Sequence, residues 1–242
     1  IREVEMKILV TGGAGFIGTN LIKRLLKDGH EVTSVDNYST GKKENHQDGC
    51  RYYENDLTSN HILGIYVDHG TYPSWRDDDF DVIFHLASLA RIQPSLDEPV
   101  KTFKSNVLST VNLLEIARKN KIPFIYAGSS SVHGNVRVNP YTFTKWQSEE
   151  VIKLYSELYD ISSCICRFYN AYGPYQSIEG DYCNVLGIFE RQYKEGVELT
   201  ITGDGEQRRD FTHIDDIVEG LILTSESETS HKTIELGRGH NH

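Results

Sequence analysis

At 242 residues, 38% hydrophobic and 25% charged, the chain carries enough apolar material for one good-sized α/β domain or a large domain with a small appendage. Its formal net charge of −10 repels nucleic acid and anionic membranes, so neither is an expected partner. No stretch nears the roughly 18 apolar residues that span a bilayer, and the acidic opening Ile1-Arg2-Glu3-Val4-Glu5 is unlike a signal peptide, so a soluble, cytoplasmic protein is expected. Cys50, Cys164, Cys166 and Cys183 are too few for a disulfide scaffold, and no pair has zinc spacing. They read as buried thiols of a reducing compartment, with Cys164 and Cys166 on alternating faces of a strand. The ending Gly239-His240-Asn241-His242 is not read as a metal site, because histidines in a chain end rarely close one.

The elements alternate from the start. Lys7–Val10 is an apolar run entering glycine-rich sequence, as a buried parallel strand does. Leu21, Ile22, Leu25 and Leu26 recur at helical spacing up to a stop at Gly29. Further strands are predicted at Glu31–Val35, Arg51–Glu54, Asp81–Leu86, Pro123–Ala127 and Ser163–Phe168, with helices at Val107–Arg118 and Tyr141–Tyr159. The stretch Thr58–Asp79, with two glycines, a proline and a run of aspartates, reads as a long loop. Successive β-α-β units imply a parallel sheet covered on both faces. Beyond Asn170 the loops lengthen. Helices near Val185–Lys194 and Ile214–Thr224 alternate with short strands at Glu198–Thr202 and Thr233–Leu236. The predicted division is therefore a nucleotide-binding domain over 1–170 and a smaller substrate lobe over 171–242.

Thr11-Gly12-Gly13-Ala14-Gly15-Phe16-Ile17-Gly18 lies between the first strand and the first helix. One glycine permits the tight turn, another lets the backbone approach a pyrophosphate, and Gly18 lets helix and strand pack closely. The helix N-terminus adds unpaired N–H groups and the positive end of a dipole. Asp36 ends the second strand, where a carboxylate accepts the adenosine ribose hydroxyls and repels a 2′-phosphate. The pattern predicts a Rossmann-type, doubly wound α/β fold binding NAD rather than NADP. Lys42 and Lys43 read as solvated loop charges, and His85, on an apolar strand, as a core histidine.

Tyr141 and Lys145 are four apart, and Asn139-Pro140 ahead of them is a good helix start. On one helix their side chains share a face. An ammonium beside a phenol is expected to lower the phenol from about 10 toward working pH, making it a general base for a sugar hydroxyl. Ser129, in Gly128-Ser129-Ser130-Ser131 at the carboxyl end of the fifth strand, can hydrogen-bond the reacting oxygen. Tyrosine–lysine spacing alone is common; its place after this strand, in a chain with the glycine loop, makes Ser129, Tyr141 and Lys145 the candidate catalytic set.

With these residues in place, the chain resembles the extended short-chain dehydrogenase/reductases, and within them the NAD-dependent epimerase/dehydratase family, from Lys7 to about Leu236. The resemblance implies cofactor contacts at Gly12, Gly15, Phe16, Ile17, Gly18, Asp36, Asn37, Ser39, Thr40 and Gly41, and at Asp56-Leu57 beside the adenine. It extends them to Leu86, Ala87, Ser88 and Ala90 after His85, to Ser105, Tyr141 and Lys145, and to Tyr169 beside the nicotinamide. It places Asn170 and Arg209 on a substrate diphosphate, with Ser129 and, more weakly, Arg91 as further substrate contacts. A guanidinium would let an acidic protein hold that diphosphate; the plainer role for Arg209 is a salt bridge to Asp210.

Similar dehydratases carry an Asp-Glu pair after the active serine, and similar decarboxylases a glutamate at the position of Ser131. Ser130 and Ser131 offer no carboxylate, so the expectation is 4-epimerisation of a nucleotide-diphosphate sugar, a UDP-sugar being favoured, through a transient 4-keto sugar. Dehydration, decarboxylation or net reduction on the same scaffold, and a non-catalytic NAD-binding regulator, are the alternatives. The resemblance also implies a homodimer through the helices at Val107–Arg118 and Tyr141–Tyr159, although core packing explains their apolar residues equally well. Two departures stand out. Only Val132–Pro140 separates Ser131 from Tyr141, where similar proteins have a longer rim loop, and the sequence stops soon after Thr233–Gly237, where they continue.

Overall fold

Short β-branched runs between amphipathic helices fold as parallel strands in a computed structural model, which describes residues 5–62, 74–227 and 231–241. The elements are β1 (Lys7–Thr11), α1 (Phe16–Lys27), β2 (Glu31–Asp36), β3 (Arg51–Glu54), β4 (Val82–His85), α2 (Ile92–Asp97), α3 (Pro99–Phe103) and α4 (Ser109–Asn120). They continue with β5 (Phe124–Ser129), α5 (Pro140–Tyr159), β6 (Ser163–Phe168), β7 (Ala171–Tyr172), α6 (Val185–Glu195), β8 (Thr212–His213), α7 (Ile214–Glu226) and β9 (Lys232–Leu236). A π-helical turn, Lys104–Leu108, joins α3 to α4. Among the described residues no helix is long and apolar enough to cross a membrane.

Seven strands form one sheet in the order β3-β2-β1-β4-β5-β6-β9, every pairing parallel. Strand order reverses between β1 and β4, and in open α/β sheets ligands bind at the carboxyl ends beside that reversal. Side chains alternate along each strand, so each face has its own core. Leu9, Ile83, Phe124, Tyr126 and Ile165 pack with Leu113, Leu114 and Ile152 of α4 and α5. Ile8, Val10, Phe84, Ile125, Cys164 and Cys166 pack with Leu21 and Ile22 of α1 and Ile217 and Leu221 of α7. Each such large aliphatic side chain, fully buried, contributes roughly 1.5–3 kcal/mol.

Several expectations are corrected. Cys164 and Cys166 share one face and one core, because residues two apart on a strand point the same way; Cys50 and Cys183 are only half-buried. Glu198–Thr202 is not a strand. Leu199 and Ile201 there are 52% and 72% exposed, and a strand without a ladder partner does not persist. The strand expected in the smaller lobe at Thr233–Leu236 is β9, which pairs with β6 in the main sheet, while α7 covers that sheet's face. Of 171–242, therefore, the stretch before α7 supplies what stands apart from the sheet layer. Within Thr58–Asp79, residues 63–73 lie outside the described residues. The flanks form 3₁₀ turns at Asn60–Ile62 and Ser74–Asp77. They bring Ile62 and Trp75 into the core, and the Trp75 indole donates to Asn55 Oδ1 at 2.8 Å.

Candidate functional site

The carboxyl ends of β1, β2, β4 and β5, with α5 and the segment 168–184, enclose a cleft of about 950 Å³. At its inner end the glycine loop turns through Gly12, whose φ of +71° and whose absent Cβ, which would meet the Ala87 N at 2.8 Å, leave no room for another residue. Gly12, Gly15, Phe16, Ile17 and Gly18 all line the cleft. Helix α1 starts after Gly15 with no side-chain cap, so its first turn is left to satisfy its N–H groups on a ligand or solvent. Asp36 is buried at the end of β2, accepting from Ala14 N at 3.0 Å and Tyr38 N at 2.8 Å. Burial raises its pKa while those N–H groups act against it. Each carboxylate oxygen keeps a second lone pair for a ribose hydroxyl. The groove and its acid therefore fit a dinucleotide.

Toward the middle, Asn139 caps α5 by accepting from Thr142 N at 2.8 Å, with Pro140 in the first turn. That start brings Tyr141 over the end of β5, where its hydroxyl donates to Ser129 Oγ at 3.0 Å. Ser129 Oγ in turn donates to Ser131 Oγ at 2.9 Å and accepts from Ser131 N at 3.2 Å. Lys145, one turn on and buried, donates from Nζ to the Ala127 carbonyl at 2.8 Å and to the Tyr126 hydroxyl at 3.4 Å. Burial pushes Lys145 down to about 8, with the Glu149 charge acting the other way.

The expected tuning of the phenol is corrected here. Burial raises the pKa of Tyr141; the hydrogen bond to Ser129 and the charge of Arg91 act to lower it. Arg91 is thus one charge that acts to lower Tyr141, while the Lys145 ammonium makes its hydrogen bonds to Ala127 and Tyr126. His85 is a core histidine, with Nδ1 2.7 Å from Thr11 Oγ1 and Nε2 3.0 Å from Thr110 Oγ1. Burial, with the Lys145 charge, lowers it to about 3.

Most of the predicted contacts meet in this cleft. Asn37, Ser39, Thr40, Asp56, Leu57, Leu86, Ala87, Ser88, Ala90 and Ser105 line it together with Asp36, Ser129, Tyr141 and Lys145. So do Arg91, Asn170 and Arg209. Asn170 is held by donating to the Asp210 carbonyl at 2.8 Å. The Asp210 carboxylate takes the backbone N–H groups of Arg238 and Gly239 at 3.1 and 2.8 Å, and the Arg209 guanidinium donates to the Arg208 carbonyl. Arg91 donates from Nε to the Tyr182 carbonyl at 3.0 Å, joining the two sides of the cleft.

Two predicted contacts do not line the cleft. Gly41 packs behind Asp36, where a Cβ would meet Asp36 Oδ2 at 3.0 Å, and Lys42 lines the cleft instead. Tyr169 points away, its hydroxyl donating to Glu235 Oε2 at 2.9 Å and lying 3.1 Å from His133 Nε2. Phe168, the last residue of β6, lines the cleft, while Arg167 before it turns toward α5. Sequence reasoning also missed the strap formed by Tyr175, Gln176, Ser177, Asp181, Tyr182 and Asn184. Its local sequence carries no periodic signal.

Comparison with known proteins agrees with this geometry. The model of the NAD dependent epimerase/dehydratase family matches residues 8–237. The UDP-glucuronic acid decarboxylase 1 of Xenopus tropicalis is 30% identical over 98% of this chain, which spans 57% of that protein's length. The putative UDP-glucose 4-epimerase of Methanocaldococcus jannaschii is 32% identical over 89% of this chain and 72% of its own length. The crystal structure of Thermotoga maritima UDP-glucose 4-epimerase with UDP-glucose superposes with a TM-score of 0.88, at 30% identity, over 98% of this chain and 78% of that one. A glycine-loop Rossmann sheet, a Tyr141–Ser129 hydrogen bond beside a buried Lys145, and a match over 8–237 place the chain in the NAD-dependent epimerase/dehydratase family.

Proposed function

We propose that the protein is a nucleotide-sugar 4-epimerase acting on a UDP-sugar. The observation that carries this is the hydrogen-bonded set Tyr141–Ser129–Ser131, which contains hydroxyls and no carboxylate. Dehydration and decarboxylation in similar enzymes use a carboxylate after the active serine, and serines stand here. With NAD to accept the two electrons, reversible oxidation at one carbinol carbon needs from the side chains only a base on the hydroxyl and a partner for its oxygen.

Tyr141 takes the proton of the C4 hydroxyl, and Ser129 Oγ steadies the same oxygen as it becomes a carbonyl. NAD, when bound, supplies the reversible two-electron acceptance that this oxidation needs. Arg91 favours the phenolate against the cost of its burial. Lys145 would hold the nicotinamide ribose, and the Gly12–Gly18 loop and Asp36 the adenosine diphosphate end. Arg209 and Asn170 anchor the substrate diphosphate, so that the 4-keto sugar can turn about that anchor and return its other face to Tyr141. The same reading carries a homodimer, supported by Leu154 and Leu158 of α5, 50% and 63% exposed; sedimentation equilibrium tests it.

Incubation with UDP-glucose, UDP-N-acetylglucosamine and UDP-glucuronate, with NAD added and products resolved by ¹H NMR, tests the assignment. The expected outcome is a C4 epimer without net accumulation of NADH. A pentose product with release of CO₂ from the glucuronate would replace the reading with a decarboxylase, the activity named for the Xenopus relative.

A further inference from the structure

Behind the reacting groups lies a charged residue that the proposed chemistry leaves idle. Glu149 is one turn beyond Lys145 on α5 and is 0% exposed. Its carboxylate rests over Gly128 of β5, where a Cβ would meet Glu149 Oε1 at 3.0 Å and Arg167 Cγ at 3.0 Å. The Lys145 ammonium rests on the residue before, donating to the Ala127 carbonyl. Cation and carboxylate thus sit above consecutive positions of one strand, and glycine at 128 makes the space for the second.

The carboxylate is gripped from its far side. Arg167 donates from Nε to Oε1 at 3.1 Å and from Nη2 to Oε2 at 2.7 Å, and its Nη1 reaches Glu235 at 3.0 Å. A side chain held by a fork of this kind keeps one position.

Burying an amine disfavours its charged form unless an opposite charge lies close. Lys145 is 3% exposed. The groups around it are the Tyr126 phenol on β5, whose ring centroid lies 4.8 Å from Nζ, the Tyr141 phenol on α5, and the His85 imidazole on β4. Arg91 on the cleft wall and Arg167 on β6 add only positive charge. Of these neighbours Glu149 alone carries a carboxylate, and its charge acts upward on Lys145 and also on Tyr126.

We infer that Glu149 is a positioning residue, the buried counter-charge, gripped by Arg167, that keeps Lys145 an ammonium in the reacting site. This rests on the assignment of Lys145 to that site. Titration of the lysine itself reports the effect, so a failed inference and a failed assignment give different results.

The protein is labelled with [¹³Cε]lysine and titrated by NMR, the Lys145 signal being identified by its loss in Lys145→Arg. The expected native midpoint is about 8, lowered by burial. In Glu149→Gln it falls by about one pH unit, and the alkaline limb of kcat moves down with it. Glu149→Asp, which keeps the charge, recovers most of that fall. Should Glu149→Gln not fold, the double variant Glu149→Met with Arg167→Met removes both charges and leaves neither unpaired; a smaller fall in the same direction is expected. A Lys145 midpoint unchanged in whichever variant folds overturns the inference, and so does lost stability without a shift. If no nucleotide sugar turns over, the midpoint still decides it.

Discussion

The two walls of the cleft hold their polar groups differently. On the sheet side Ser129 and Lys145 are 8% and 3% exposed, and each is tied to β5 or its immediate continuation. On the opposite side Arg209 and Asp181 are exposed and stand on irregular chain; Arg209 donates to the carbonyl of its neighbour Arg208. Proton transfer tolerates little misplacement, so its groups stand on a close-packed strand and helix. Recognition of a diphosphate tolerates more, because a guanidinium offers several equivalent donors. Arg91 belongs to the first wall and donates to the Tyr182 carbonyl of the second, so it links the two.

This contrast can be broken in four places. The largest effect is expected on the sheet side: Tyr141→Phe should lower kcat by about 1,000-fold while NAD binding, read by isothermal titration, stays within about twofold. A turnover within tenfold of the native rate would remove Tyr141 from the chemistry.

Gly12→Ala comes next. Its new Cβ would press on the Ala87 backbone N at 2.8 Å from a left-handed φ of +71°. NAD affinity should weaken by about 100-fold and stability fall by about 2 kcal/mol. Calorimetry and urea unfolding measure the two.

The third effect is on stability alone. His85 titrates at about 3 in the folded protein against its ordinary 6.5, so between these values the unfolded chain holds the extra proton. Stability is therefore complete above 6.5 and is lost as pH falls toward 3, by about 1.4 kcal/mol per unit for one proton. Urea unfolding at pH 5 should show a loss near 2 kcal/mol relative to pH 7, and His85→Gln should flatten that slope.

Arg209→Ala, on the exposed wall, should have the smallest effect: KM for the UDP-sugar up by about tenfold with kcat within about twofold. A fall in kcat matching that of Tyr141→Phe would erase the distinction between the walls.

The candidate site was legible in the sequence wherever its residues are neighbours along the chain. Gly12 to Gly18, Asp36 at a strand end, and Tyr141 with Lys145 after Asn139-Pro140 could be placed because each depends on one local turn, strand end or helix start. Legibility failed where parity or distant contact decided. Tyr169 was expected beside the nicotinamide, but it follows β6 and its hydroxyl is drawn to Glu235, as Arg167 two residues before is drawn to Glu149. Lys145 was expected to act on Tyr141, but the carbonyl that holds its ammonium belongs to a strand 18 residues earlier.

By itself the sequence determined the alternation of strands and helices, the dinucleotide loop and the start of the helix that carries the reacting groups. Hydrophobic period, glycine conformation and capping all act over a few residues. Only the tertiary structure decided that Lys232–Leu236 closes the main sheet against β6, that Arg91 reaches the Tyr182 carbonyl, and that Glu149, one turn beyond Lys145, is gripped by Arg167. Those outcomes depend on which distant surfaces pack together and on where a buried charge can find its partner, and no short window of residues contains either.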